Sequence, residues 1–258
     1  MDASKAPVVV AVDGSAAARR AVGWAALAAA RRGSGLRLLH AIGLADVEPG
    51  SRMSPPPEWF VVKRAMAETI LADAVDAVAE VVPGLEPELE RGEGAPLSVL
   101  VEATRRAARL VLGAPDSGML LGLLAGSPVL DVTGSAHCPV VVVRGTPVAE
   151  GPIVVGVDGG DGTTAALDAA VEEAADAGAR VVAVHAGSDF EADKDRYPDV
   201  EWVVKTAKPR QLLLEYSESA RLMVVGSRGR GGFAGLVLGS TCHALIHHAA
   251  CPVMVARP

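Results

Sequence analysis

The amino-acid sequence predicts an α/β protein with two tandem domains, each an open, mostly parallel sheet of five strands. Three observations predict this architecture: the chain repeats itself, each copy alternates strand and helix patterns, and the strand segments are continuous apolar runs. Such runs are typical of strands that are buried on both faces. Strands that alternate with helices favour a parallel sheet with helices on both faces, joined by right-handed crossovers.

The repeat is plainest at the first strand of each copy. Residues 8–15 read VVVAVDGS and residues 153–160 read IVVGVDGG, an offset of 145 residues. Later the offset falls to 113, which aligns the Cys-Pro-Val triplets at 138–140 and 251–253. The second copy therefore lacks 32 residues in its middle, the difference between 145 and 113. The predicted domains are residues 1–147 and 148–258.

The same order of elements is predicted in both copies. In the first copy, strands are predicted at 8–12, 36–41, 87–92, 109–113 and 140–143, and helices at 16–32, 58–82, 96–107 and 127–136. In the second copy, strands are predicted at 153–157, 180–185, 200–206, 221–226 and 252–255, and helices at 163–177, 209–218 and 240–249. Gly33 and Gly178 follow the first helix of each copy, where left-handed helix caps are expected.

The missing residues map onto the region 42–82 of the first copy. That region contains a Pro-rich loop and a predicted helix, whereas the second copy has only a short polar stretch at 187–198. We therefore predict that the second copy lacks this helix and leaves a sheet face bare around Trp202. Because exposed apolar patches mark interfaces, we expect a partner protein, or a second chain in a homodimer, to cover that face.

Composition and charge exclude several classes of protein. The net charge of −7 argues against a nucleic-acid or anionic-membrane binder, since both need a basic surface. The apolar stretches are too short for a membrane span. The three cysteines lack CxxC spacing, which predicts neither a zinc site nor a disulfide framework, and buried thiols are expected at Cys138 and Cys251. We expect a reduced, cytoplasmic protein.

A glycine-dense segment at 224–241 is the stretch with the clearest chemistry. A strand is predicted to end at Gly226, and Gly239, Ser240 and Thr241 open a helix. Glycines let backbone N–H groups approach an anion, and a helix N-terminus adds unpaired donors. Arg228 adds positive charge beside this loop. The segment therefore predicts a phosphate-binding loop.

Two common phosphate motifs do not fit this segment. A Walker A loop needs Gly-Lys-Ser/Thr, and that triplet is absent from the chain. A dinucleotide fingerprint starting at Gly229 would need an acidic residue about 20 positions later and a further βαβ unit, and both are absent. The spacing that remains is Gly226-x2-Gly229-x9-Gly239-Ser240. Together with VDGS or VDGG after the first strand and CPV before the last, it resembles the universal stress protein family over nearly the whole chain, twice.

The resemblance implies an adenine nucleotide α-hydrolase-like fold and a site for ATP. It implies that the aspartate after strand one holds the adenosine end, that backbone at the end of strand two faces adenine, and that the glycine loop holds the phosphates with Mg²⁺ bridging their oxygens. In the second copy the implied residues are Asp158, Gly159, Ala186, Gly226, Arg228, Gly229, Gly239, Ser240 and Thr241. In the first copy they are Asp13, Ala41, Gly113, Gly126 and Ser127. It also implies that the final strands of the two copies pair antiparallel across a pseudo-twofold axis.

The first copy departs from this motif. Asp116 stands in place of the second glycine, and Pro128 follows Ser127. A carboxylate at that position would face the phosphate charge, and a residue other than glycine restricts the backbone. We therefore expect the first site to bind ATP weakly or not at all, and the second site to be the working one.

Other interpretations of the same residues stay open. Asp13 and Asp158 can serve only as caps of the helix that follows them, and the glycines can serve only a tight turn. The recurring histidines, His40 and His185, are interpreted as packed or backbone-bonded rather than catalytic. His243 and His247 lie one turn apart on the predicted helix and share a face. No third metal ligand is evident, so no metal site is predicted.

These observations predict an ATP-binding stress or regulatory protein that acts through nucleotide-dependent conformation and association. No catalytic base or nucleophile stands beside the loop in sequence, so any ATP hydrolysis should be slow. Two alternatives are kept: a slow ATPase, and a ligand-free protein-interaction module whose nucleotide sites have decayed. The protein partners are not identified by the sequence.

Overall fold

The structure is a computed structural model of the chain. It describes residues 6–43, 57–114, 128–160, 162–188, 190–227 and 238–257. The chain divides into two compact units, residues 1–113 and 114–258. Within the described residues, no helix is both long and apolar enough to cross a bilayer.

Strands and helices alternate as the sequence predicts. The strands are β1 (Val8–Ala11), β2 (Leu36–Ile42), β3 (Glu88–Glu93), β4 (Arg109–Gly113), β5 (Val140–Val143), β6 (Ile153–Val157), β7 (Val181–Ala186), β8 (Val200–Lys205), β9 (Leu222–Gly226) and β10 (Val253–Ala256). The helices are α1 (Ala16–Arg32), α2 (Pro57–Val81), α3 (Pro96–Ala103), α4 (Pro128–Ser135), α5 (Gly162–Ala177), α6 (Pro209–Ser217) and α7 (Ser240–His248).

The first unit contains four parallel strands in the order β3-β2-β1-β4. The three valines that open β1 are completely buried, as a continuous β-branched run predicts. Helix α1 packs on β1 and β4 through its alanine-rich face. It begins at Ser15, whose hydroxyl accepts the Ala18 N–H at 3.1 Å, and ends at Gly33 with a φ of 63°. The predicted glycine cap is therefore confirmed for this helix.

The second unit contains strands in the order β5-β10-β9-β6-β7-β8. All neighbours in it are parallel except β5 and β10, which pair antiparallel with Met254 opposite Val141. The predicted antiparallel pairing of the two final strands is therefore confirmed. Because β5 pairs with the last strand of the second copy, the compact division falls after Gly113, ahead of the repeat boundary predicted at 147/148.

Two arginines follow the paired strands and cap helices of the opposite copy. Arg144, after β5, is 6% exposed, and its Nη1 donates to the carbonyls of Leu245 and Ile246 in α7 at 3.5 and 3.3 Å. Arg257, at the end of β10, donates to the Thr133 carbonyl in α4. Cations are favourable at helix C-termini, where carbonyls lack partners. The two copies therefore exchange arginine caps within the second unit.

The cover of the sheet differs between the copies where the 32 residues are missing. In the first unit, the 25-residue helix α2 packs against α1 and β2. In the second, the described residues between β7 and β8 (187–188 and 190–199) contain no helix, as predicted. Phe190 of that segment stacks on His185 with ring centroids 4.6 Å apart and lies 5.7 Å from the Trp202 ring. The face expected to be bare is therefore partly covered by the chain itself, although Val204 remains 46% exposed.

Candidate functional site

The strand order places a crevice at the carboxyl ends of β6 and β9. From β6 the chain proceeds outward to β7 and β8 on one side, whereas β9 and β10 lie on the other. In open α/β sheets, ligands bind outside the carboxyl ends of the strands where the order reverses in this way. Asp158 and Gly159 follow β6, and Gly226 ends the neighbouring strand β9, so these three predicted residues lie at the same edge of the sheet.

The loop after β6 is held by Asp158 and Thr163. Asp158 is half-buried, and its Oδ1 accepts the Gly160 N–H at 2.9 Å and the Thr163 hydroxyl at 3.1 Å. The Thr163 Oγ1 in turn accepts the Gly159 N–H at 3.0 Å. Gly159 has a φ of 73°, a conformation that favours glycine. The Oδ1 oxygen of Asp158 therefore shapes the turn, as the capping interpretation requires.

Two helix N-termini converge on the end of β9. A Cβ at Gly226 would lie 3.1 Å from the carbonyl oxygen of Gly162, the first residue of α5. The next residue, Ser227, accepts the N–H of Gly239, the N-cap of α7, at 3.0 Å. The N-termini of α5 and α7 therefore both lie near the end of β9, and the partial positive charge of a helix N-terminus favours an anion.

The N-terminus of α7 offers donors to such an anion. Gly239 makes no side-chain cap, and the first intrahelical bond runs from the His243 N–H to the Gly239 carbonyl. The N–H groups of the first helical turn, from Ser240 onward, have no intrahelical acceptor by construction. Ser240 is exposed and Thr241 half-buried. The Gly239 N–H is not available to an anion, because it donates to the Ser227 carbonyl.

The first copy is built differently at the equivalent loop. Asp13 is exposed, and its Oδ1 accepts the Ser15 N–H at 2.9 Å. A Cβ at Gly113 would lie 2.3 Å from the Ala17 carbonyl oxygen, so this glycine allows α1 to approach the strand. Helix α4 begins at Pro128, which has no N–H to donate. The N-terminus of α4 is therefore poorer in donors than that of α7.

Several predicted residues lie outside the described part of the chain: Arg228 and Gly229 of the second copy, and Asp116, Gly126 and Ser127 of the first. Ala41 and Ala186 lie at the carboxyl ends of β2 and β7, both half-buried. The cysteines are buried free thiols, and desolvation by burial raises the pKa of Cys242 and of Cys251 to about 12. Among the described residues, no group of three or more His, Cys, Asp or Glu is placed to hold a metal ion.

The prediction missed Thr163, which bonds the Asp158 loop. Thr163 is the second residue of α5, and Thr is common at helix starts because its side-chain oxygen can accept backbone N–H groups there, so its position was a usable signal. The interpretation of the histidines as backbone-bonded is confirmed: His40 Nδ1 lies 2.7 Å from the Val12 carbonyl oxygen, and His185 Nδ1 lies 2.9 Å from that of Val157.

The fold defines a tandem α/β protein in which each copy places an Asp-Gly loop beside a strand that ends in glycine. The family model of the universal stress protein family matches residues 6–144, 151–202 and 188–257. The chain belongs to the universal stress protein family.

Relatives of similar length support this membership. Universal stress protein Rv2005c of Mycobacterium tuberculosis is 34% identical over 97% of this chain and 96% of its own. Universal stress protein Rv2623 of the same organism is 31% identical with the same coverage. A crystal structure of a universal stress protein from Archaeoglobus fulgidus superposes with a TM-score of 0.80 at 19% identity, over 98% of this chain and 97% of that one. This last likeness shows a shared fold.

Proposed function

We propose that this chain binds ATP at the second copy and acts as a regulatory protein through nucleotide-dependent conformation and association. The observation that carries the proposal is the convergence of the N-termini of α5 and α7 on the end of β9, beside the Asp158 loop. In an acidic protein, two helix N-termini and a run of glycines make a local place for phosphates. In the proposed site the Asp158 carboxylate contacts the adenosine end of the nucleotide, and Mg²⁺ would be held by phosphate oxygens.

The donor set fits a phosphate group on physical grounds. Ser240 and Thr241 combine hydroxyls with N–H groups of an uncapped helical turn, all of which can donate to an anion. Arg228 and Gly229 belong to the proposed site by their position in the sequence. The first copy, with Pro128 at the start of α4, is proposed to bind weakly or not at all.

The test compares the two copies with matched substitutions. Calorimetric titration with Mg-ATP should give one site per chain, and Asp158→Asn should weaken binding by about tenfold or more, since hydrogen bonds to charged groups contribute about 1.5–3 kcal/mol. Asp13→Asn should leave binding unchanged. Thr163→Val, which removes the three hydrogen bonds of the Thr163 hydroxyl to Asp158 and Gly159, controls for damage to the turn. Equal effects of the two Asn substitutions would contradict a working site in the second copy.

The same preparation separates the alternatives. No heat and no co-purified nucleotide in the wild type would favour the interaction module with decayed sites. Phosphate release that exceeds the buffer rate and is lost in Asp158→Asn would favour a slow ATPase. Light scattering with and without Mg-ATP tests the proposed homodimer: a monomer under both conditions across micromolar concentrations would remove nucleotide-dependent self-association from the proposal.

A further inference from the structure

A single hydrogen bond recurs at the same place in both copies. His40 and His185 are 145 residues apart, as are the carbonyls that they contact, those of Val12 and Val157. The distances from Nδ1 to the carbonyl oxygen are 2.7 and 2.9 Å. A carbonyl can only accept, so Nδ1 carries the proton in both rings. In the neutral imidazole, Nε2 is then left without one.

The accepting carbonyl belongs to the peptide that leads into the aspartate. Val157 is 4% exposed, and its carbonyl lies in the same planar peptide group as the N–H of Asp158. That N–H points at Thr163 Oγ1, 3.4 Å away. The peptide plane before Asp158 is therefore fixed at one end by His185 and approached at the other by Thr163, which limits the directions in which the carboxylate can point.

The His185 ring is itself held in place. It is 7% exposed, and Phe190 stacks on it at a centroid distance of 4.6 Å and an interplanar angle of 19°. A Cβ at Gly187 would lie 2.6 Å from Nε2, so the ring occupies space that only a glycine at this position leaves open. The equivalent residue in the first copy is Ile42, and His40 there is half-buried. Burial and stacking therefore restrain the His185 ring more than burial restrains the His40 ring.

We propose that His185 is a positioning residue of the nucleotide site: its Nδ1–H orients the Val157–Asp158 peptide and so aims the Asp158 carboxylate. The expected effect of His185 on nucleotide affinity rests on the proposed function. His185 does not touch the nucleotide but acts through the peptide. His40 makes the same bond in the first copy, where no strong nucleotide site is proposed, and it serves as the matched control.

The experiment separates the donor from the packing of the ring. His185→Asn keeps a donor at the position of Nδ1 but loses the stack on Phe190, whereas His185→Phe keeps a stacking ring and loses the donor. His185→Gln moves the donor to the position of Nε2. We expect Mg-ATP binding to weaken about tenfold in the Phe and Gln variants and to stay within about threefold of wild type in the Asn variant. His40→Phe should leave Mg-ATP binding unchanged.

Two readouts do not depend on nucleotide. Long-range proton–nitrogen NMR spectra, recorded while the imidazole is neutral, should show the His185 proton on Nδ1. Hydrogen exchange of the backbone amides of Asp158 and Thr163 should be about tenfold faster in His185→Phe than in His185→Asn. If wild type fails to bind Mg-ATP, the proposed function fails while these readouts still decide the positioning role. A proton on Nε2, or weak binding in the Asn variant with normal binding in the Phe variant, would overturn the inference and leave only packing.

Discussion

The loop after strand one is closed by Ser15 in the first copy and by Thr163 in the second. Ser15 caps α1 from outside the helix, at the N-cap, whereas Thr163 reaches back from inside α5 to Asp158 and Gly159. The second arrangement half-buries the aspartate and involves its Oδ1 in two bonds, while Asp13 is exposed with one such bond in the loop. The motifs VDGS and VDGG are nearly identical, yet hydrogen bonds restrain the Asp158 carboxylate more than the Asp13 carboxylate.

A second difference concerns the cover of the sheet beside that loop. The first copy uses the long helix α2, which buries Leu71 and Val78. The second uses a short segment in which Phe190 stacks on His185 and the Tyr197 hydroxyl donates to Asp168 of α5 at 2.7 Å. A few aromatic contacts and hydrogen bonds thus replace part of a helix. The second copy, which lacks these 32 residues, therefore covers this part of the sheet only partly, with a short segment in place of a helix.

The largest expected difference between the copies is at the glycine that ends β4 or β9. In Gly113→Ala, the new methyl would lie 2.3 Å from the Ala17 carbonyl oxygen, a backbone atom that cannot rotate away, so we expect a loss of about 3 kcal/mol or more in stability. In Gly226→Ala, the nearest atom would be 3.1 Å away, and the loss should be within about 1 kcal/mol. Thermal and urea unfolding of both variants measure this difference. Equal losses would show that the helices approach the two strands equally closely.

The exchanged arginine caps give the next effect. Arg144→Ala removes a buried guanidinium and leaves the carbonyls of Leu245 and Ile246 without these donors, so a loss of about 2–4 kcal/mol is expected. Arg257→Ala, at a half-buried position, should cost about 1–2 kcal/mol. Urea denaturation monitors both. A greater loss in Arg257→Ala than in Arg144→Ala would reverse the comparison, because it would place the more important cap on α4.

A smaller effect is expected where the second copy replaces α2. Tyr197→Phe keeps the buried ring but removes its bond to Asp168, which should cost about 1 kcal/mol. Burial, followed by this bond, raises the pKa of Tyr197 to about 12, so ultraviolet titration of the phenol gives a second readout. Asp168→Asn is the matched control, since it keeps an acceptor but loses the charge. An unchanged unfolding midpoint in Tyr197→Phe would show that ring burial alone holds this segment.

The smallest effect is a pH dependence that arises at α7 of the second copy. Burial, then the charges of His243, His248 and Arg144, lowers the pKa of His247. A histidine with a lowered folded pKa takes up its proton more readily when unfolded, so stability should fall as the pH drops below about 6.5, the ordinary value. His247→Gln should reduce the change in thermal midpoint between pH 7.5 and pH 5.5, and part should remain because burial also lowers the pKa of His248. The equivalent residue in α4 is Gly134, so a wild-type slope that survives in His247→Gln would have to come from other groups.

Most of the fold could be predicted because periodicity and the repeat are local signals. The bounds of β1, β4, β5 and β6 agree with the predicted segments to within a residue. The same signals located Asp158 and Gly226 at the ends of neighbouring strands. They could not show that the N–H of Gly239 is used by Ser227, or that Thr163 bonds the Asp158 loop, because these contacts depend on where the helices begin in space.

By itself, the sequence determined the duplication, the alternation of strands and helices, the missing helix of the second copy and the Asp-Gly loops, since each is written in local patterns or in the comparison of one copy with the other. Only the tertiary structure decided that Gly113 lies against a helix backbone more tightly than Gly226, and that Arg144 and Arg257 cap helices of the opposite copy. The physical reason is that packing distances and the reach of a buried side chain are set by elements far apart in the chain, and no periodicity records them.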